Sequence, residues 1–487
     1  MKIAIVGGGT SGLVTALILK QDNPKFHIDL IESKKIGIIG VGEGSTEHWS
    51  TFMHHCNINL AELIEETDAT FKYGIDFVNW NGDNQRYIHS LSGELTVESQ
   101  TGLKFLFADM IARGEPSDNL VPDHVVNNLH IKPYHGVNQF HFNTFKLNEY
   151  LHKLCEKRGI GIIEDDIAHV QLDEDGCVDY LLGKYHHYYD FYVDSTGFGR
   201  IINQKSLGAQ WISYSKYLPL NSAIAFPTER LEDIPSTTLS RSMDCGWLWR
   251  IPTQNRFGNG YVFCDRFITA EEAHREVEEL YGKELEIAKH VKFDPGRLDK
   301  AWSKNCVAIG LSASFIEPLE ATSIGCSIQQ AFMLTNIIHS YDKRNTYAED
   351  YYNHHFAELL DNILDFVALH YRCKRNDTAF WKYATSLPLP PGLEQRLEMY
   401  QYRYPDKGDF LNHYNMFREA NWIQVMHGLG LIPPTIAQRR LHYEPDHILS
   451  SIQINFNAMK REMNAAEHVS HREALQAIID NKQEYAV

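Results

Sequence analysis

The apolar and polar positions of the chain fall into short runs of two kinds. "KIAIV" is an apolar strand that stops at glycines, and "SGLVTALILK" after it has helical spacing. "FHIDLIES" is a second strand ending at Glu32; "DFYVDSTGFG" (190–199) and "KNCVAIGLSASFIEP" (304–318) are later strands that run into small residues at Gly197 and Gly310. Long excursions separate these strand ends. "YGIDFVNW" and "RYIHSLSG" read as extended, 143–159 as a helix, and 161–182 as a small antiparallel group. Between 217 and 265, "LPLNSAIAFP", "CGWLWRIPTQ" and "GNGYVFCDRF" predict strands of a sheet able to roof a cavity. Residues 270–290 and 324–370 are expected to be helical. Pro388, Pro390 and Pro391 mark a boundary before a mostly helical part with an amphipathic stretch at about 453–482. Its apolar residues need a partner surface, so it is expected to pack on the body.

The first strand and helix enclose Gly7, Gly9 and Gly12, a GxGxxG pattern. A dinucleotide site needs the first glycine for a tight turn, the second for backbone approach to a pyrophosphate, and the third for helix packing. Glu32 lies twenty residues after Gly12, where a carboxylate can accept hydrogen bonds from a ribose. The fingerprint occurs once, with no second copy for a nicotinamide domain. Strand ends separated by long excursions resemble the flavoprotein monooxygenase arrangement, in which FAD lies extended.

Composition narrows the partners. A formal charge of −17 opposes nucleic acid. Eight cysteines without CxxC spacing fit a reduced, cytoplasmic protein, and neither a signal peptide nor a membrane span is expected. Adjacent histidines at 54–55, 186–187 and 354–355 are expected to diverge, and no HExxH or closed Cys/His set appears, so no metal is expected.

Six stretches carry a further resemblance: "GGGTSG" (7–12), "GVGEGST" (40–46), "ATFKYGIDFVNW" (69–80), "GWLWRIP" (246–252), "NCVAIGLSASFIEPLEAT" (305–322) and "GLGLIPP" (428–434). Together they resemble the flavin-dependent halogenases of the tryptophan halogenase family, whose WxWxIP motif stands here as Trp247, Trp249, Ile251 and Pro252. The resemblance implies an α/β, FAD-binding Rossmann-like flavoprotein monooxygenase fold with an inserted β-sheet region. Residues 1–387 would be the core and 388–487 a helical region contributing to the substrate site. It implies reduced FAD from a separate flavin reductase, O₂ and a halide (chloride, bromide or iodide), yielding hypohalous acid that travels to a small aromatic substrate. A homo-oligomer stays open.

By that resemblance Lys72 and Glu320 are the catalytic lysine and glutamate, and Thr322 and Ser323 lie at the halide site. Gly7, Gly9, Thr10, Ser11, Gly12, Glu32, Gly42, Glu43, Gly197 and Gly310 would bind FAD; His89 and Phe417 would meet substrate. Trp247 and Trp249 share one strand face and would wall the flavin from substrate. The chain departs from the family at Leu13, where Trp is common, and at Ser323, where Gly is usual. Leu91 replaces an aromatic contact, and ungapped placement sets Pro405, Asp406 and Asn412 at the clamp for a free amino acid and Met416 with Phe417 at paired aromatics. Asn412 in place of a glutamate makes free tryptophan an expected poor substrate. The rival readings are a flavin hydroxylase and a non-catalytic flavin-binding or redox-sensing protein.

Overall fold

The structure is a computed structural model that describes residues 1–38, 43–90, 103–116, 130–131, 139–465 and 469–482. Six strands form the first sheet in the order Trp302–Ser303, Cys306–Ala308, Phe191–Asp194, Lys2–Val6, His27–Glu32, Gly161–Glu164. All are parallel except the edge strand Trp302–Ser303. A parallel sheet is covered on both faces, which explains the uninterrupted apolar run of "KIAIV". Ile3 and Ile5 enter the main core, while Ala4 and Val6 meet Val178 and Leu181 on the other face. The carboxyl ends at Val6, Glu32, Asp194 and Ala308 share one edge, where ligands of such sheets bind.

The second sheet has seven strands, ordered Lys289–Lys292, Ser222–Glu229, Arg256–Phe263, Gly246–Pro252, Thr237–Met243, Gly74–Val78, Arg86–His89. Leu248, Tyr261 and Phe263 pack under the helix Ala270–Tyr281, so the opposite face, with Trp247 and Trp249, turns inward. This is the expected roof.

Three expectations need correction. The helix expected over 324–370 is two, Thr322–Ile337 and Tyr347–His370, parted at 338–346. Gly161–Glu164 is the far edge of the parallel sheet, where its Ile162 and Ile163 pair in register with Leu30 and Ile31; only 169–187 is antiparallel. The helix expected through 290 stops at Gly282, whose φ of 65° caps it, and Lys289–Lys292 is a strand.

Beyond Pro391 come the helices Pro391–Met399, Glu419–Leu429, Pro434–His442, Asp446–Ala465 and His471–Asp480. Glu419–Leu429 packs on Arg86–His89 and on Leu103–Arg113, and His471–Asp480 packs on Leu60–Thr67. One apolar cluster runs from Ile3 to Ile478, across the position of the proline boundary. All eight cysteines are free. Among the described residues no helix is long and apolar enough to cross a membrane.

Candidate active site

A cavity of about 800 Å³ opens at the carboxyl edge of the parallel sheet, beneath the inner face of the second. The glycine turn forms one end. Gly7 has φ 118° and so little room that a Cβ would fall 2.1 Å from the Ser195 carbonyl oxygen; one on Gly12 would fall 2.1 Å from the Gly7 oxygen. A Cβ on Gly9 would meet nothing within 4 Å among the described residues, and Gly9 faces the cavity just before the helix Thr10–Asp22. Close packing at the first and third glycines and open space at the second are what a pyrophosphate requires. Thr10, Ser11, Gly197 and Gly310 line the same space, and the buried Ser195 hydroxyl there has no partner among the described residues. These features fit an extended FAD.

Glu32 sits at its strand end with Oε2 3.1 Å from His152 Nε2, and its hydrogen bond raises the His152 pKa. Ile31 and Ser33, rather than Glu32 itself, line the cavity. Glu43 pairs through the strand Glu43–Gly44 with Phe142, and Gly42 lies outside the described residues, as does Leu91.

Trp247 and Trp249 stand side by side on the cavity wall, their rings 6.1 Å apart. The Trp247 indole N–H donates to Glu317 Oε1 at 3.3 Å, which also accepts from Tyr371 at 2.5 Å. Burial raises the Glu317 carboxyl to about 7 against those two donors.

The stretch Pro318–Ser323 separates this cavity from a second, much smaller chamber. Pro318–Glu320 forms a single turn, Ala321 takes φ 54°, and the helix Thr322–Ile337 begins. Leu319, Ala321, Thr322 and Ser323 line the large cavity, whereas Glu320 lines the chamber. The left-handed residue is Ala321 and Ser323 is helical, so Ser323 needs no glycine geometry. Thr322 and Ser323 open the helix, where backbone N–H groups lack helical acceptors and favour an anion.

The chamber holds about 20 Å³, room for a molecule near the size of water. Lys72, Glu320, His89 and Phe417 meet there, with Thr46, Gln139 and Asn421. Lys72 ends the strand Thr70–Lys72 and is 2% exposed; its ammonium donates to the Ser45 carbonyl at 2.7 Å. Burial lowers Lys72 to about 8, with Glu320 and Glu47 opposing. Behind the lysine, the Phe71 N–H donates to His471 Nε2 at 2.9 Å, and the two rings stack at 5.4 Å. Nδ1 of His471 contacts the Ile234 carbonyl at 3.2 Å, which fixes a neutral ring, and burial lowers its pKa to about 4.

Glu320 is fully enclosed. His89 Nδ1 lies 3.1 and 3.0 Å from its two oxygens, and His370 Nε2 lies 2.9 Å from Oε1, off the hydrogen-bond axis. Burial pushes the carboxyl up, but the contacts with His89 and His370 prevail and lower it. Phe417 stacks on Phe366 at 3.9 Å, and its backbone exchanges two 2.9 Å hydrogen bonds with the Asn362 amide.

The placement at 405–416 comes out differently. Asn412 donates to Glu358 at 2.5 Å, Asp406 caps 407–409 and contacts Lys104 at 3.2 Å, and Met416 packs over Gly325. Among the described residues none of these, nor Pro405, lines the chamber. Asn421, Gln139, His370 and His471 carry no motif and are apparent only in three dimensions. The adjacent His354 and His355 do not diverge as expected: Glu358, one turn on, draws their ligand atoms and its own to within 4.8 Å of one another on a partly exposed face.

Comparison with known proteins agrees with the geometry. The protein-family model described as Tryptophan halogenase matches residues 2–444. The chain is 30% identical to the 7-chloro-L-tryptophan 6-halogenase KtzR of Kutzneria sp. (strain 744), over 88% of this chain and 90% of that protein. It is likewise 30% identical to the tryptophan 7-halogenase RebH of Lentzea aerocolonigenes, over 96% of both. Among solved structures, Xcc4156, a flavin-dependent halogenase from Xanthomonas campestris, aligns with a TM-score of 0.85 and 29% identity over 98% of both chains. BrvH, a flavin-dependent halogenase from Brevundimonas sp. BAL3, aligns at 0.83 and 27%, over 98% and 99%.

Proposed function

The chain belongs to the tryptophan halogenase family of flavin-dependent enzymes that use FAD and halide to halogenate aromatic compounds; from that premise we propose a two-chamber halogenase whose chemistry is divided by the stretch Pro318–Ser323. The observation that carries this reading is the opposed facing of that stretch, with Thr322 and Ser323 toward the large cavity and Glu320 toward Lys72.

In this reading FAD occupies the large cavity and, reduced by a separate reductase, supplies the activation of O₂ that oxidises halide to hypohalous acid. The N–H groups at Thr322 and Ser323 hold the halide, and Trp247 with Trp249 keeps the aromatic substrate from the flavin. The Lys72 ammonium donates a hydrogen bond to the oxygen of hypohalous acid. As the ring carbon bonds to halogen, the oxygen–halogen bond breaks and the oxygen leaves as water with the Lys72 proton. The ring C–H pair returns to the π system and its proton passes to Glu320. Return of that proton to Lys72 closes the cycle, so hypohalous acid and arene yield haloarene and water.

The halide is bromide at least as readily as chloride, because the heavier ion is easier to oxidise and to dehydrate. Free L-tryptophan is a poorer substrate than a larger or uncharged aromatic. Glu320 is already engaged by two histidines and so is not open to pair an α-ammonium.

The test is incubation of the protein with FAD, a flavin reductase, NADH, O₂, halide and an aromatic panel. A halide-dependent mass shift of one halogen is expected, with kcat/KM for L-tryptophan below that for indoles, phenols or larger heteroaromatics. An oxygen mass shift would mark a hydroxylase, and L-tryptophan as the best substrate would overturn the substrate reading.

A further inference from the structure

Both oxygens of the Glu320 carboxylate contact His89 Nδ1, and what His89 presents there depends on its other nitrogen. His89 Nε2 lies 3.2 Å from Asn421 Nδ2. The amide's orientation is set independently, because the Arg418 backbone N–H lies 2.8 Å from Asn421 Oδ1 and needs an acceptor there. The NH₂ of Asn421 therefore points at His89. An NH₂ group only donates, so His89 Nε2 must be unprotonated and its single proton sits on Nδ1, toward Glu320.

We propose that Asn421 is a positioning residue for halogenation: it fixes the neutral Nδ1–H tautomer of His89, which in turn clamps the Glu320 carboxylate as the acceptor of the ring proton. The proposal rests on the reading of Glu320 as that acceptor. All three side chains are buried, so each hydrogen bond is undiluted by water and a missing partner is costly. Asn421 opens the helix Glu419–Leu429, its Oδ1 completing the cap with the Arg418 N–H. The C-terminal helical region thereby reaches the reacting proton through two hydrogen bonds. With both edge nitrogens engaged, His89 has only its ring face left for a substrate.

Asn421→Asp exchanges the donor for an anionic acceptor, forces a second proton onto His89 and ties Glu320 to an imidazolium, making it a weaker base. The expected result is a kcat about 10- to 100-fold lower, a nearly unchanged KM for the aromatic and unchanged FAD binding. A primary isotope effect should also appear with ring-deuterated substrate as proton loss becomes rate-limiting. His89→Gln keeps an N–H toward Glu320 but has no tautomer to set, so adding Asn421→Asp to it should cost little more. Additive losses in the double variant, or wild-type kcat and isotope effect in Asn421→Asp, would overturn the proposal. Should Asn421→Asp fail to fold, as judged by FAD binding, Asn421→Leu leaves the tautomer unset and must show the same isotope effect or the proposal falls. Glu320→Gln separates the two layers: wild-type turnover there removes the underlying reading of Glu320, whereas a slow Glu320→Gln beside a harmless Asn421→Asp removes only the role of Asn421.

Discussion

The large cavity and the lysine chamber adjoin across a few residues but are made differently. The cavity joins backbone, in a glycine turn, parallel strand ends and the start of one helix, to a wall of apolar side chains that includes Trp247 and Trp249. The chamber is shaped by side chains arriving singly from Ser45–Glu47, Lys72, His89, Gln139, Glu320, Phe417 and Asn421, with His370 and His471 behind them. Where backbone packs on backbone, as at Gly7 and Gly12, an added Cβ is not tolerated. A side-chain-built site can be altered atom by atom without unfolding its neighbour.

The contrast sets the order of effects. Gly12→Val drives a branched side chain into the Gly7 carbonyl, so FAD binding should weaken by two orders of magnitude or more, about 3 kcal/mol, and halogenation should go with it. Flavin fluorescence titration checks this, and retained affinity would break the distinction between the two sites. Glu320→Gln should lower turnover about 100-fold, within the range of general-base catalysis, with FAD binding unchanged in the same titration.

Next comes His471→Phe, which preserves the stack on Phe71 but strips its N–H of an acceptor. Unfolding free energy should fall by about 1–3 kcal/mol, with slower halogenation and little change in flavin affinity, as read by denaturant titration beside the activity assay. The last effect, absent near neutral pH, is a pH dependence. Lys72 is held near 8 in the fold against 10.5 as its ordinary value. Between these values the unfolded chain binds more protons, so Lys72 contributes stability that rises with pH from about 8 to 10.5. The rise is at most about 3 kcal/mol, and Lys72→Met should lose it; parallel stability–pH curves for the two proteins would contradict the burial of this amine.

The same contrast explains what was legible in the sequence. Gly7, Gly9 and Gly12 were readable because a backbone constraint restricts the residue at that very position. Trp247 and Trp249 were readable as one face because strand alternation is local. His89 was visible as a chamber residue, but its engagement with Glu320 was not, since 231 residues separate them. Asn421 and His370 sit on helices whose spacing records only burial. Counting along 405–417 does not show where Asn412 goes, because the chain turns at 407–409 and again before Asn415, and Asn412 meets Glu358.

In the proposed mechanism hypohalous acid is made in one chamber and used in the other. The most direct measurement is Lys72→Ala under turnover, following halide-dependent oxidation with a soluble hypohalite trap and haloarene by mass spectrometry in the same reaction. The account predicts that trapped hypohalite and FAD binding stay near wild type while haloarene falls about 100- to 1,000-fold. Haloarene at the wild-type level with the trap present, or loss of trapped hypohalite together with product, would contradict it.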